Sequence, residues 1–453
     1  MSSLLWLRRD LRLGDHPALL RAREDADGDL TVLFVVDTAL WARVGPVRTA
    51  WLAATLRALD EDLDGRLTLR VGDPAEVVPA VARETAATGV HVTRETTPYG
   101  VRRDQQVQDA LPGDVDWVET GTPYAVGPGL VRNGSGDPYK VFTPFSKAWR
   151  AHGWPAPAAY PEGLEPTDLG RDADADRLVE EALAANGVPE LPPAGERAAL
   201  ARWAEFVADD LAGYERGRDR PAEESTSFMS PYLKVGAVHP RTLLADLAGR
   251  GGASVERFVG ELAWREFYAD VLHHQPRTGW ADLRQELAGL RYDDPEDAIE
   301  AWQQGRTGYP IVDAGMRQLM ATGWMHNRVR MITASFLTKD LHVWWPVGAR
   351  WFLDRLLDGD LASNNHNWQW VAGTGTDAAP YFRVFNPVLQ GEKFDPRGEY
   401  VRRWVPELAH LPGKAVHQPW DHEDGYAHGY PRRIVDHAEE RKEALARYKA
   451  ARG

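Results

Sequence analysis

The sequence of 453 residues contains no cysteine. This absence excludes disulfides, thiol catalysis, iron–sulfur clusters and zinc–thiolate sites. The chain also lacks any apolar run close to the roughly 20 residues that a transmembrane helix needs. Charged residues interrupt its apolar start before the length of a signal peptide is reached. A cytoplasmic protein that does not enter a membrane is therefore expected.

Net positive charge is absent as well, because 67 acidic residues outnumber 53 basic residues and give a formal charge of −14. This balance argues against a protein that coats nucleic acid through bulk electrostatics, although a local basic face can still bind phosphates. An apolar fraction of 43% is ordinary for a folded chain. The length exceeds the roughly 250 to 300 residues at which one core stops growing, so at least two domains are expected.

The first 130 residues alternate short apolar runs with helical stretches. This rhythm predicts an α/β domain over residues 1–130, with a Rossmann-like parallel sheet and crossover helices. The predicted strands are 4–7, 31–36, 67–71, 90–93 and 116–119, and the clearest helices are 48–63 and 74–88. Arg8, Arg9 and Asp10 follow the first strand where a glycine-rich turn would stand, so a classical dinucleotide site is not predicted.

Residues 131–195 are rich in Pro, Gly, Ala and Asp and predict an interdomain linker. Beyond it helical periodicity dominates, and residues 196–453 are predicted to form a larger all-α domain. The clearest predicted helices are 198–216, 240–248, 254–273, 295–304, 311–322, 327–337, 349–357 and 436–449.

The predicted helix 254–273 carries an unusual polar face. Glu261, Trp264, Arg265 and Tyr268 follow helical spacing and share one side. A carboxylate, an indole and a guanidinium together make a poor core stripe. The alternative is a salt-bridged surface face with one tucked aromatic ring.

The segment 323–331 packs two arginines, a histidine and an amide into nine positions. With Arg328 and Arg330 on different faces of a helix, one would pair with an internal carboxylate and the other would bind a phosphate. No metal site is predicted at His326, because no other ligand stands at suitable spacing.

The segment 357–370 is dense in polar side chains, which usually indicates a solvated loop. Trp368 and Trp370 would be costly to expose in such a loop. Aromatic rings beside carboxylates and amides suit a planar heterocycle with polar edges. Segments 374–383 and 390–396 are predicted loops whose Arg383 and Lys393 can reach phosphates. Thr226 and Ser230 precede a helix and indicate either a helix cap or an anion site.

In this order, five segments of the chain resemble the photolyase and cryptochrome family, and specifically class I cyclobutane pyrimidine dimer photolyases. They are 6–12, 261–268, 307–314, 323–331 and 358–396. The resemblance covers nearly the whole chain and implies a deoxyribodipyrimidine photo-lyase, a carbon–carbon lyase. It implies blue-light-driven repair of pyrimidine dimers in DNA, by electron transfer from reduced FAD to a lesion flipped out of the duplex. Photolyases are among the enzymes for which base flipping is recognised.

The resemblance also implies roles for individual residues. FAD, active as the reduced anion, would be held with Asn364 beside flavin N5 and Asp358 paired with Arg330. The implied cofactor-binding residues are Tyr214, Thr226, Ser227, Phe228, Met229, Ser230, Arg265, Arg330, Asp358, Asp360 and Asn364. The implied DNA-binding residues are Arg218, Glu261, Trp264, Asn327, Arg328, Met331, Arg383 and Trp370. The implied catalytic residues are Glu261, Asn364, Trp368 and Trp345.

The family's three-tryptophan relay for photoreduction of the flavin corresponds to Trp368, Trp345 and Tyr292, so its outermost member is a tyrosine here. Either Tyr292 ends the relay or a nearby tryptophan does, such as Trp344 or Trp351. An antenna chromophore would bind the N-terminal domain near Arg48 and Glu95. The residues around them favour 8-hydroxydeazaflavin over methenyltetrahydrofolate.

The same residues disfavour three alternatives to dimer repair. Repair of (6-4) photoproducts is disfavoured, because Asn327 and Met331 stand where such enzymes carry histidines. A cryptochrome-type photoreceptor without repair activity would be expected to lose some of Glu261, Trp264, Met331 and Trp370. A light-independent flavoprotein oxidoreductase would need a nicotinamide site that is not evident. The expected partner is dimer-containing DNA, hence association with the nucleoid, and a monomer without an obligate protein partner is expected.

Overall fold

The chain begins with a five-stranded parallel sheet in the order β3-β2-β1-β4-β5. The computed structural model describes residues 2–376 and 382–452. Both faces of the central strand are buried, and Leu4 to Leu7 are at most 1% exposed. Continuous apolar runs are typical of such strands. The strands are β1 Ser2–Leu7, β2 Asp29–Asp37, β3 Thr68–Gly72, β4 Ala87–Val92 and β5 Asp116–Glu119.

The helices that accompany the sheet begin with strong local signals. A proline occupies the first turn of four of them, where its missing N–H costs nothing. Asp37, Asp73 and Thr97 accept backbone hydrogen bonds at helix starts. The Rossmann-like parallel sheet predicted from the sequence is confirmed. These helices are α1 Pro17–Asp25, α2 Thr38–Trp41, α3 Pro46–Asp62, α4 Pro74–Glu84 and α5 Pro98–Ala110.

The segment predicted as a linker contains regular structure. Two helices lie in it, α6 Phe142–His152 and α7 Ala173–Ala184. On α6, Phe145 and Trp149 are buried, and the Phe145 ring lies 5.2 Å from Phe267. The composition did not indicate these two helices, because the helical spacing of the aromatic residues on α6 is embedded in a Pro- and Gly-rich segment.

Five helices follow, and the first is shorter than predicted. The expected helix 198–216 stops at Glu205 and continues as a π turn, Phe206–Asp210, and a 3₁₀ turn, Leu211–Gly213. Two aspartates and a glycine, all weak helix formers, lie in the interrupted part. The helices are α8 Glu196–Glu205, α9 Tyr214–Gly217, α10 Met229–Val235, α11 Pro240–Leu247 and α12 Ala253–His274.

The remainder is helical, as predicted for the C-terminal domain, with a core that includes Trp302, Trp345 and Trp368. A π turn, Phe336–Asp340, follows α15. The helices are α13 Glu296–Gln303, α14 Pro310–Thr322, α15 Asn327–Ser335, α16 Trp345–Arg355, α17 Leu361–Ala372, α18 Pro387–Phe394, α19 Glu399–Trp404 and α20 His437–Ala451.

Two segments of this region that were not predicted as helices are largely helical, the polar segment 357–370 and the predicted loop 390–396. Much of segment 357–370 belongs to α17, whose start is capped by Asp360 accepting from the Ser363 N–H and whose last residue is followed by Gly373 at φ +84°. Segment 390–396 overlaps α18, which begins with the Asn386 cap and a first-turn proline. Residues 377–381 of the predicted loop 374–383 lie outside the described residues. Polar composition concealed both helices, although their capping signals are present in the sequence.

Contacts divide the chain into two compact units. The first unit comprises Met1–Gly187, Leu191–Asp209 and Ser227–Pro276, and the second comprises Val188–Glu190, Asp210–Thr226 and Arg277–Gly453. These bounds differ from the predicted division at residues 130 and 195, which stays a prediction. In the described part of the chain, no helix combines the length and apolar character needed to cross a membrane.

Candidate active site

In the first unit, helix α12 carries the polar face predicted from the sequence. Glu261, Trp264 and Arg265 are half-buried and Tyr268 is buried. Arg265 donates to the carbonyl oxygens of Pro123 at 3.1 Å and Leu233 at 3.2 Å. These bonds to backbone orient the guanidinium, so the face is more ordered than a solvated salt-bridged surface.

One face of the Trp264 indole is covered by Phe142 from α6. The two rings are nearly parallel, with centroids 3.7 Å apart and planes 7° from each other. Phe267 approaches Trp264 edge-on at 5.7 Å. The indole is therefore held on two sides, and a planar ligand can stack only on the surface that Phe142 leaves uncovered.

The loop before α10 belongs to the predicted cofactor set. Phe228 has φ +58°, a left-handed conformation that is uncommon for residues other than glycine. The Met229 N–H donates to Ser227 Oγ at 3.3 Å, so this hydroxyl stabilises the helix start. Ser230 lies in the first turn of α10. Tyr214, Arg218 and Thr226 belong to the second unit, Tyr214 and Arg218 at α9.

In the second unit, Arg330 on α15 forms the ion pair predicted with Asp358. Its two terminal nitrogens donate to the two carboxylate oxygens at 3.1 and 2.9 Å, and its Nε donates to the Met325 carbonyl at 2.7 Å. The Asp358 side chain is 4% exposed and that of Arg330 is 23% exposed. This fork-like pair fixes one positive and one negative edge beside α17.

His326 has a structural role at the start of α15. Its Nδ1 accepts a hydrogen bond from the Arg328 N–H at 3.1 Å and so caps α15. Burial lowers the pKa of His326 to about 4, so the imidazole is neutral at pH 7.

Arg328 also has a carboxylate partner, contrary to the expectation that only one arginine of this segment would be paired. Asp219 accepts from it at 2.8 and 3.1 Å, and the Asp219 side chain is 38% exposed. The Arg328 guanidinium also lies 4.4 Å from the Phe394 ring centroid and near the Met331 sulfur. Asn327 begins the same helix. Asp219, Arg328 and Met331 thus form a partly exposed cluster.

Helix α17 presents Asn364, Trp368 and Trp370 in different environments. Asn364 Nδ2 donates to the Ala349 carbonyl at 3.1 Å. Trp368 is 2% exposed and packs edge-to-face on Phe352 at 5.0 Å, and a side chain at Gly348 would clash with its ring. Trp370 is half-buried, with the Arg383 guanidinium 5.3 Å from its ring centroid. One indole is therefore locked in the core and the other is partly accessible.

Two of the predicted relay residues, Trp345 and Tyr292, are linked through Trp344. Trp345 donates from Nε1 to Asp282 at 2.7 Å. The Trp344 ring lies 6.4 Å from Trp345 and 6.3 Å from Tyr292. Trp344 is 39% exposed. Among the described residues the buried Tyr292 hydroxyl has no hydrogen-bond partner, and burial together with the nearby Asp282 charge raises its pKa.

The predicted antenna residues lie in the first unit. Arg48 is half-buried on α3. Glu95 is 5% exposed in its side chain, and it accepts from the Thr96 N–H at 2.7 Å and from Arg9 at 3.3 Å. Burial would raise the pKa of Glu95, but the charge of Arg9 and the backbone donors outweigh it and hold the pKa below its ordinary value. The carboxylate is therefore ionised near the end of β4.

The donor set of each unit fits a flavin nucleotide. The Arg330–Asp358 pair carries both signs of charge and Asn364 adds an amide, a combination that suits a polar ring edge. Ser227, Ser230 and the oriented Arg265 add donors suited to phosphate and ribose oxygens. The predicted cofactor residues thus fall in both units, and within each unit they are ordered by neighbouring backbone and side chains.

Similarity to known proteins extends over nearly the whole chain. A family model described as DNA photolyase matches residues 3–162, and one described as the FAD binding domain of DNA photolyase matches residues 258–450. A deoxyribodipyrimidine photo-lyase of Streptomyces griseus is 44% identical, with 98% of this chain and 97% of that protein covered. The chain belongs to the DNA photolyase family. A second photo-lyase, from Halobacterium salinarum, is 41% identical over 99% of both chains.

Solved structures of photolyase relatives share the fold. A class III photolyase from Agrobacterium tumefaciens has a TM-score of 0.89 and 38% identity, covering 99% of this chain and 97% of that one. A cryptochrome from Synechocystis has a TM-score of 0.88 and 28% identity, covering 99% and 98%. The expected family, the presence of a FAD-binding domain and the enzyme class, a deoxyribodipyrimidine photo-lyase, are confirmed by these relationships.

Sequence reasoning missed several residues of this photolyase that contact the predicted site. They are Phe142 against Trp264, Asp219 against Arg328 and Asp282 against Trp345. Each is distant in sequence from the residue it touches. Phe142 alone had a local signal, the aromatic periodicity of α6.

Proposed function

We propose that this photolyase repairs cyclobutane pyrimidine dimers in DNA under blue light, as a class I enzyme. The observation that carries the proposal is full-length similarity to proteins named deoxyribodipyrimidine photo-lyase, together with an ordered donor set that fits a flavin. The assignment to class I rests on the motif resemblance. The name of the Agrobacterium relative does not support it, because that protein is named a class III photolyase.

Reduced FAD, when bound, would supply light-driven electron transfer to the dimer, which opens the cyclobutane ring before the electron returns to the flavin. We infer that Asp358, Arg330 and Asn364 orient the flavin ring edge. Arg265 and the hydroxyls near α10 bind the remainder of the cofactor. Because these groups are held by backbone and by each other, they orient the cofactor with little further ordering.

The residues proposed to contact the damaged DNA differ in the chemical groups that they provide. Trp264 and Trp370 offer partly accessible aromatic surfaces for a flipped-out dimer, and Glu261 supplies a carboxyl group for hydrogen bonding to its bases. Asn327 and Met331 are also proposed as lesion contacts. Arg218, Arg328 and Arg383 would hold backbone phosphates.

We also propose which part of the chain binds each ligand. Residues 1–130 would bind an antenna chromophore near Arg48 and Glu95, with 8-hydroxydeazaflavin favoured over methenyltetrahydrofolate. Residues 196–453 would bind FAD and DNA, and the protein would act as a monomer.

A repair assay tests the proposal directly. The reduced protein is incubated with dimer-containing oligo(dT) under blue light, and recovery of thymine absorbance is followed, with a dark sample as control. Light-dependent recovery is expected. The alternative, a photoreceptor without repair activity, is suggested by the structural similarity to the Synechocystis cryptochrome. Failure to recover absorbance with bound, reduced flavin would support that alternative.

Replacing Glu261 with alanine is expected to lower the repair yield at saturating DNA by about tenfold, the effect of losing a hydrogen bond of roughly 1.4 kcal/mol at the reacting bases. Flavin content should stay unchanged, because Glu261 is assigned to the lesion. Repair yield per absorbed photon and the flavin-to-protein ratio are the measurements. Glu261→Gln, which keeps a carbonyl oxygen and adds an amide N–H at the same position, is the matched control and should lose less. Loss of flavin from Glu261→Ala would contradict the assignment.

Replacing Phe142 with alanine is expected to weaken binding of dimer-containing DNA by about fivefold, because the stack that fixes the Trp264 indole is worth roughly 1 kcal/mol. Phe142→Tyr keeps the flat ring and should bind normally. Fluorescence anisotropy with a labelled oligonucleotide gives the dissociation constants. Equal affinity of Phe142→Ala and wild type would show that the indole needs no such support.

A further inference from the structure

The aromatic ring of Phe382 is held between two partners in the second unit. Lys339 Nζ lies 3.0 Å from its centroid on one side, and the Tyr448 ring stacks on it at 4.1 Å with planes 19° apart. A side chain at Gly373 would contact this ring at 2.9 Å. We name Lys339, Phe382 and Tyr448 the Phe382 clamp.

The clamp is tied to helix α17. Lys339, which is 2% exposed, donates from Nζ to the carbonyl oxygen of Ala372 at 2.6 Å. Ala372 is the last residue of α17, where carbonyl groups lack partners within the helix and the helix dipole favours a donor. The same amine thus contacts both the Phe382 ring and the end of the helix that carries Trp370.

The residue after Phe382 is Arg383, whose guanidinium lies 5.3 Å from the Trp370 ring centroid. Neighbouring Cα atoms are about 3.8 Å apart, so a fixed Phe382 restricts where Arg383 can go. The clamp therefore limits both members of the Arg383–Trp370 contact, one through the chain and the other through α17.

Tyr448 brings the C-terminal helix into this arrangement. Helix α20 is held to the same unit by the His437 Nδ1 contact with Asp340 at 2.5 Å and by the Arg447–Asp293 ion pair at 2.8 Å. A helix anchored at both ends in this way is a firm support for one side of the Phe382 ring.

We propose that the Phe382 clamp positions Arg383 and Trp370 for binding DNA, so that the C-terminal helix acts on lesion affinity through Tyr448. The inference rests on the proposed function, because it takes Arg383 as a phosphate contact and Trp370 as a surface for the lesion. Lys339, Phe382 and Tyr448 are positioning residues and need not touch DNA themselves.

The test compares Tyr448→Ala with Tyr448→Phe, both in the full-length flavin-bound protein. Tyr448→Ala is expected to weaken binding of dimer-containing oligonucleotide by about fivefold, while Tyr448→Phe, which keeps the stacked ring, should bind normally. Repair yield at saturating DNA and flavin content should not change. Lys442→Ala, an exposed change on the same helix, is the matched control and should have no effect. If Tyr448→Ala unfolds, Tyr448→Leu keeps a larger apolar side chain without the flat ring and takes its place.

Arg383→Gln separates failure of the clamp from failure of the proposed function. It should weaken binding and lower the salt dependence of affinity by about one phosphate contact. In the Arg383→Gln protein, Tyr448→Ala should weaken DNA binding by a much smaller factor than it does in the wild-type protein. Both substitutions act through the Arg383–Trp370 contact, so their effects should not add. Full additivity, or normal binding by Tyr448→Ala while Arg383→Gln binds weakly, would overturn the clamp. Normal binding by Arg383→Gln would instead contradict the DNA assignment of Arg383.

Discussion

Replacing Arg330 with methionine is expected to remove most of the flavin and to lower the free energy of unfolding by about 3 kcal/mol, the low end for a broken buried ion pair. The reason is geometric. Both oxygens of Asp358 accept from Arg330, at 3.1 and 2.9 Å, and the Asp358 side chain is 4% exposed. Without the arginine a carboxylate remains buried beside the predicted flavin edge. The flavin-to-protein absorbance ratio and the urea midpoint measure the two effects.

Two further variants give this experiment its controls. Arg397→Met breaks an ion pair with Glu399 whose side chains are 72% and 44% exposed, and it should change neither quantity. The double variant Arg330→Met with Asp358→Leu removes both charges and should regain much of the lost stability without regaining flavin. If Arg330→Met keeps its flavin while its midpoint falls, the pair is structural and its proposed role in cofactor binding is wrong.

The parallel sheet was predictable because its signal is local. The inner strands β1 and β2 contain short apolar runs, and first-turn prolines and a capping aspartate mark helices between the strands. Helices α6, α17 and α18 were missed for a different reason. Their polar or Pro-rich composition outweighed signals that were present, such as the Asp360 cap of α17 and the Asn386 cap of α18.

The site was predictable only in part, and motif resemblance supplied more of it than periodicity did. The Arg330–Asp358 pair was named from the resemblance and is present. The Asp219 partner of Arg328 and the Phe142 stack on Trp264 were not foreseen, because more than 100 residues separate the members of each pair. A single sequence carries no information on which distant side chains meet, since tertiary packing decides it.

The end of the photoreduction relay is a point where the structure favours one of the open alternatives. Trp344 contacts Trp345 and is 39% exposed, so a positive charge on its indole would be stabilised by water. Tyr292 is a poorer donor, because oxidation of a phenol releases its proton and the buried hydroxyl has no hydrogen-bond partner among the described residues. Trp351 shares no ring contact with Trp344 or Trp345 in the described part of the chain and instead lies under Arg355, 4.5 Å away.

Replacing Trp344 with phenylalanine is therefore expected to slow photoreduction of the oxidised flavin by about tenfold, or roughly 1.4 kcal/mol in the activation barrier. Tyr292→Phe and Trp351→Phe are the matched aromatic controls and should reduce at close to the normal rate. The decay of oxidised-flavin absorbance under blue light with an added reductant gives the rates. Chemically reduced Trp344→Phe should repair dimers normally, because the relay serves activation and not repair. A slow Tyr292→Phe beside a normal Trp344→Phe would instead make the tyrosine the terminal donor, with a proton acceptor recruited from solvent.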